Sequence, residues 1–131
     1  MMAEDGRQSQ VRAFLHKAKE YLAVAEDSLE QERMTAAAGN AIHAGINSKD
    51  AIVIALTGTT IKSGDHQQAV RELRAALASR PEAAKCERAL RDLIGAKSGV
   101  EYGVFMIEPS KAAILVRRAQ TLVDTAARLA L

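Results

Sequence analysis

From Thr35 to Thr57 the chain runs 23 residues without a proline, and small or aliphatic side chains occupy most of the circumference that a helix over these positions would present. At about 1.5 Å per residue such a helix spans about 34 Å. A helix that is apolar nearly all round is stable in water only when other elements surround it. The segment therefore predicts a central helix with a bundle packed about it. Its longest purely apolar run, Ala51 to Leu56, is six residues, far short of the about 20 that a membrane-spanning helix takes.

The flanking segments supply the surrounding helices. From Arg7 to Glu30 the apolar positions Val11, Phe14, Leu15, Ala18, Leu22, Ala25 and Leu29 form one stripe of 3.6-residue period. Residues 1 to 6 lack this periodicity and are expected to be disordered. Thr35 is the expected N-cap of the central helix, which Gly58 and Gly64 close. Asp65, with Gln68 three residues on, resembles a capping box and starts a short helix carrying Ala69, Val70, Leu73 and Leu77 inward, to about Ala78. Ser79, three before Glu82 and with Pro81 between, predicts the start of a fourth helix whose stripe is Cys86, Ala89, Leu90, Leu93, Ile94 and Lys97. After a break that includes Val104 to Ile107, Glu108-Pro109-Ser110 opens a last helix to about Leu129, with Leu115, Ala119, Leu122, Ala126 and Leu129 inward. The 131 residues hold no repeat and no linker. The expected fold is all-α, a single up-and-down bundle of four long helices and one short one.

Charge and cysteine usage narrow the function classes. Eighteen basic against sixteen acidic residues leave a formal charge of +2, too balanced for a protein that coats nucleic acid. The charge is uneven: residues 1 to 33 carry five basic and seven acidic side chains, whereas 71 to 97 carry seven and four. The lone Cys86 has no partner for an intrachain disulfide, and with no charged-then-apolar leader the expected compartment is the cytoplasm, with no membrane contact. Cys86 falls on an apolar stripe and reads as a small core hydrophobe. Lys85, Arg88 and Arg91 form a cationic edge, either a solvated face or a phosphate contact.

The feature most suggestive of a site is on the central helix. Asn40, His43, Asn47 and Asp50 recur at spacings of three, four and three, which places them within an arc of about 80°. Burying such groups without partners costs a few kcal/mol each, so three readings stand: a seam that is solvated or hydrogen-bonded within the bundle, a polar pocket for a ligand, or a dimer interface. A shared metal ion is excluded for His43 and Asp50, which are about 10.5 Å apart along the axis. His16 and Glu20 have ligand-pair spacing but no neighbour to complete a shell, and read as an exposed polar pair. His66 reads as local capping chemistry. No Gly-rich phosphate loop, Gly-x-Ser-x-Gly elbow or paired-Cys motif occurs, so no cofactor and no nucleophile is expected.

The layout resembles the HEPN domains of prokaryotes. The run from Ala36 to Ala51 is similar to that family's second helix, Gly64-Asp65-His66 and a short helix to its next element, and Leu93 to Tyr102 with Glu108-Pro109-Ser110 to its last two. Many HEPN domains are metal-independent ribonucleases that use an Arg and a His four to six residues apart on the fourth helix, from both protomers of a dimer. Here Lys97 falls at the Arg position and Tyr102 at the His position, and a Tyr of pKa near 10 is a poor base at neutral pH. The resemblance thus implies a non-nuclease member, a homodimer that binds a nucleotide, RNA or a partner protein such as a nucleotidyltransferase. If the second and fourth helices are neighbours, the ligand-binding residues are Asn40, His43, Asn47 and Asp50 with Lys97, Glu101 and Tyr102. The alternatives are a toxin-like ribonuclease using His43 or His66 with Lys97, and a structural partner that shields another protein, for which an exposed patch around Val104 to Ile107 is the cue.

Overall fold

The computed structural model describes residues 4–59, 65–104 and 106–130, and these form five helices: α1 (Glu4–Glu30), α2 (Met34–Thr57), α3 (His66–Leu77), α4 (Ala83–Tyr102) and α5 (Pro109–Leu129). The expected all-α bundle of four long helices and one short one is what is observed. Helix α2 is its centre and touches each of the other four helices, while α4 packs antiparallel on α5.

Why α2 can be central follows from its side chains. Ala37, Ala38, Ala41, Ala44 and Ala51 are fully buried, as are Ala18 and Ala25 of α1, so the α1–α2 pair is an alanine-lined contact in which backbones approach closely. Gly45 does the same toward the other side, where a Cβ would lie 2.5 Å from Leu93 Cδ1 of α4 and 3.3 Å from Leu122 Cδ1 of α5. Around this small-residue axis Ile42, Ile52, Leu73, Leu77, Leu90, Leu93, Leu115 and Leu122 fill the core.

Helix ends differ from expectation in instructive ways. Helix α1 starts at Glu4, so residues 4–6 are helical, whereas Met1 to Ala3 lie outside the described residues. It closes in a Schellman arrangement: Arg33 N–H donates to Ser28 O (2.8 Å) and Glu32 N–H to Leu29 O (3.1 Å), with Glu32 at φ 60°. That closure runs straight into α2, so α2 begins at Met34 with Arg33 before it, and Thr35 is in the first turn rather than at the cap. Gly58 ends α2 at φ 84° with its N–H on Ile54 O. The Arg7 guanidinium lies over it, a cation at the negative end of the helix.

Asp65 caps α3 by accepting from Gln67 N–H at 2.9 Å. Gln68 does not complete a box, because its carbonyl oxygen accepts from Arg71 instead. The start of α4 is Ala83, later than the Ser79 signal implied: Pro81 sits in a preceding turn closed by Ala83 N–H on Arg80 O, and Glu82 precedes the helix without a side-chain cap. Proline holds the residue before it away from helical geometry, which delays the helix past Pro81. Pro109 opens α5 at its first position as expected.

Helix α3 is fastened to α2 by a buried charge cluster. Lys49, only 6% exposed in its side chain, puts Nζ 2.7 Å from Asp50 Oδ1 and 2.8 Å from Glu72 Oε1, itself 8% exposed. Burial pulls the Lys49 ammonium down, but hydrogen bonds and charge from Asp50 and Glu72 outweigh it and raise its pKa.

Two stability predictions follow from these contacts. Gly45→Ala is expected to destabilise by about 1–2 kcal/mol in urea unfolding, because overpacking against Leu93 outweighs the helix propensity that Ala adds. Lys49→Ala is expected to cost about 3 kcal/mol, since it leaves the Glu72 carboxylate in its buried place without the ammonium, whereas the paired replacement Lys49→Met with Glu72→Leu costs less. Because the folded pKa of Lys49 is raised, its contribution is full below the ordinary lysine value of about 10.4 and fades as pH rises through the folded value. A wild-type stability that already falls relative to Lys49→Met/Glu72→Leu below the ordinary lysine value of about 10.4 contradicts this.

Candidate functional site at the α1–α2 groove

Between Ala37 and Ile54 the positions of α2 that are not buried are Gly39, Asn40, His43, Ile46, Asn47 and Asp50. They form one stripe, so the polar set predicted from spacing occupies the single strip of α2 that its neighbours leave half-open. The strip is half-open to solvent and its two asparagines are hydrogen-bonded within the helix, which fits the seam reading and also leaves room for a ligand.

Asn40 and Asn47 line a groove of about 360 Å³ whose other wall is Lys17, Glu20, Tyr21 and Val24 of α1. His43 lies between the two asparagines, with its imidazole stacked on the Tyr21 ring at a centroid distance of 5.2 Å and an interplanar angle of 30°. Each amide is steadied by its own helix: Asn40 Nδ2 donates to Ala36 O and Asn47 Nδ2 to His43 O, both at 2.8 Å. These bonds use one donor of each amide. A carbonyl oxygen and a second N–H remain on each for another group. Glu20 also pairs with His16 at 3.3 Å, and both side chains are well exposed, as expected for that pair.

The other predicted site residues separate from this groove. Asp50 turns to Lys49 and so belongs to the α2–α3 charge cluster. Lys97 and Glu101 pair with each other at 3.2 Å on α4. Tyr102 is 78% exposed. Helix α4 does come beside α2 here, since Val100 Cγ1 lies 4.0 Å from where a Gly39 Cβ would be. Yet its last turns line a different hollow, of about 320 Å³, with Thr35, Gly99, Val100, Ile107 and Lys111. The expected seven-residue constellation is therefore two groove-lining residues, Asn40 and Asn47, with His43 joined to the groove through the Tyr21 ring, and four residues that lie elsewhere. The His66 side chain lies outside the described residues.

Spacing on α2 could not reveal Lys17, Tyr21 and Val24. A signal for them did exist: Tyr21 and Val24 are large apolar side chains that fall beside the α1 stripe rather than on it, and both are exposed. Cys86 is fully buried with Sγ 3.4 Å from Thr125 Oγ1, and burial raises its pKa, so it is a neutral core thiol. Among the described residues no group of three or more His, Cys, Asp or Glu could hold a metal ion, and no helix is long and apolar enough to cross a membrane. In chemical terms the groove offers an aromatic pair, two amides and a lysine. Such a set is chemically suited to planar, hydrogen-bonding groups.

No family model matches the chain, and no curated protein matches it.

Proposed function

We propose that the chain is a HEPN-like helical module that binds, rather than cleaves, and that its ligand is a nucleotide held in the α1–α2 groove. The observation that carries this reading is the Tyr21–His43 stack flanked by Asn40 and Asn47. An aromatic face supports a base by stacking, and a carboxamide pairs with the donor and acceptor on a base edge. Lys17 at the rim supplies a point charge for phosphate. The amides are already oriented by Ala36 O and His43 O, which lowers the ordering cost of binding. RNA presented as an unpaired nucleotide, or a nucleotide-bearing partner such as a nucleotidyltransferase, would use the same groups.

Thermal unfolding against the common ribonucleotides tests this. A ligand at about 100 times its Kd stabilises the folded state by about 2.7 kcal/mol, which for a domain of this size is a rise of roughly 10 °C in Tm. His43→Ala and Asn47→Ala are expected to remove the shift while leaving the unliganded Tm within about 3 °C. RNA that is cut by the wild type and spared by His43→Ala would replace this reading with the ribonuclease one.

The module is proposed to act as a homodimer, supported by the apolar end where Tyr102, Val104 and Met106 are 78%, 89% and 78% exposed beside the α4 hollow. Glu108 and Lys111 of the same end make no ion pair among the described residues, so a second copy related by a twofold axis can match them. Sedimentation at micromolar concentration is expected to give twice the monomer mass, shifting to monomer in Val104→Glu/Met106→Glu; a monomer throughout for the wild type rules the dimer out.

A further inference from the structure

A second groove, sharing no lining residue with the first, runs between α4 and α5. It has a volume of about 710 Å³ and is walled by Glu82 and Lys85 on one side and by Arg117, Thr121, Asp124 and Arg128 on the other. Two ion pairs fix the register of the helices: Glu82 with Arg128 at 3.7 Å, and, ten residues further along each helix, Asp92 with Arg118 at 2.9 Å. Lys85 lies between these clasps and Arg117 one residue beyond the Asp92–Arg118 clasp, and neither cation makes an ion pair among the described residues. Lys85 is level with Thr125, and Arg117 is eight residues along α5 from Thr125, so their helix positions are about 12 Å apart along the groove.

That spacing, with the character of what lies between, identifies an occupant. We propose that this groove docks an extended acidic segment of a partner protein, with carboxylates at positions i and i+4 on Lys85 and Arg117. In an extended chain, residues four apart point to the same side and lie about 13 Å apart. The Arg117 guanidinium matches a carboxylate through two parallel hydrogen bonds, and the Lys85 ammonium holds the other as a point charge. Asp124, Thr121 and Gln120 stand between the two cations on α5 and can accept from the backbone N–H groups of such a segment. A nucleic-acid strand fits less well. Its phosphates would meet the Glu82 and Asp124 carboxylates on the groove wall, and no lining residue is aromatic, which removes the base stacking that single-strand binding relies on.

The probes are two capped heptapeptides of Gly and Ser with two Glu each, at positions 2 and 6 in one and at 3 and 4 in the other, together with a six-nucleotide oligoadenylate. Each is titrated into the ¹⁵N-labelled full chain at low salt. The spaced-acid peptide is expected to move the amides of Lys85, Thr121 and Asp124 and to bind about threefold more tightly than the adjacent-acid one. Lys85→Gln lowers its affinity about threefold, and Lys85→Glu/Arg117→Glu about tenfold or more. Both side chains are exposed, so a circular-dichroism spectrum matching the wild type confirms that the fold persists. Arg12→Glu/Lys19→Glu, a charge change on α1 equal to that of the double reversal, leaves binding within twofold. Equal affinity for the two peptides, shifts outside the groove, no binding of the spaced peptide at 10 mM, or tighter binding of the oligoadenylate at the same amides overturns the proposal. Because nucleotide binding is read at the other groove, loss of this inference leaves that reading standing, and the reverse holds.

Discussion

Close approach of backbones along α2 is the constraint on which the rest of the bundle depends. A helix with Leu or Phe at positions 37, 38, 41, 44, 45 and 51 would hold its neighbours at the far end of the 8–10 Å range of helix separations. With Ala and Gly there, α1, α4 and α5 come close enough to bury an aliphatic core of Ala, Leu, Val and Ile. The scarcity of aromatic residues is part of the same solution: rings of 150–250 Å² buried area would not fit between helices so close. Small side chains also lose little rotamer entropy on burial, and that offsets the smaller area each one removes from water.

Four neighbours around one helix still leave a strip uncovered, and the chemistry gathers there. The strip is where polar side chains can persist without unpaired burial, so Asn40, His43 and Asn47 are compatible with the fold for the same geometric reason that they are available to a ligand. The Tyr21 ring completes the arrangement from α1. Ser48, one position from the strip, shows what happens on the wrong side of that boundary. Its hydroxyl is fully buried and finds no partner among the described residues, a local cost of about 1–3 kcal/mol. Lys49 escapes that penalty only because Glu72 and Asp50 converge on it.

Much of the fold was legible from the pattern of apolar residues. The stripes on α1, α4 and α5 and the surrounded character of α2 rest on periodicity summed over many positions, and such sums survive local exceptions. Helix starts were less legible, because they depend on single residues whose partners are tertiary. Thr35 is a good cap in isolation, yet the Schellman closure at Glu32 and Arg33 delivers the chain into α2 already turned. For the site, the stripe on α2 could be read from spacing, whereas its partition could not. Asp50 is on the same stripe as Asn47 but is drawn away by Lys49, whose burial follows from where α3 packs, and helix-to-helix placement is not encoded in the spacing of one segment.

The two grooves present two kinds of physics to an occupant. In the α1–α2 groove the groups are a stacked pair and two carboxamides, whose interactions depend on direction and vary little with salt, beside one cation, Lys17, and one carboxylate, Glu20. In the α4–α5 groove they are full charges, partly neutralised by one another and open to solvent, whose interactions are long-ranged and are screened beyond about 8 Å at physiological ionic strength. A surface of the second kind favours encounter and orientation more than residence. A surface of the first kind, once occupied, discriminates by unmet hydrogen bonds. The uneven charge of the sequence, acidic through residue 33 and basic from 71 to 97, does not map directly onto the grooves: of the cations in the basic stretch only Lys85 lines the charged groove, whose other cations, Arg117, Arg118 and Arg128, belong to α5. A chain with so small a net charge still presents one strongly charged groove and one largely uncharged one, because the folded arrangement, rather than the overall balance, sets the local field.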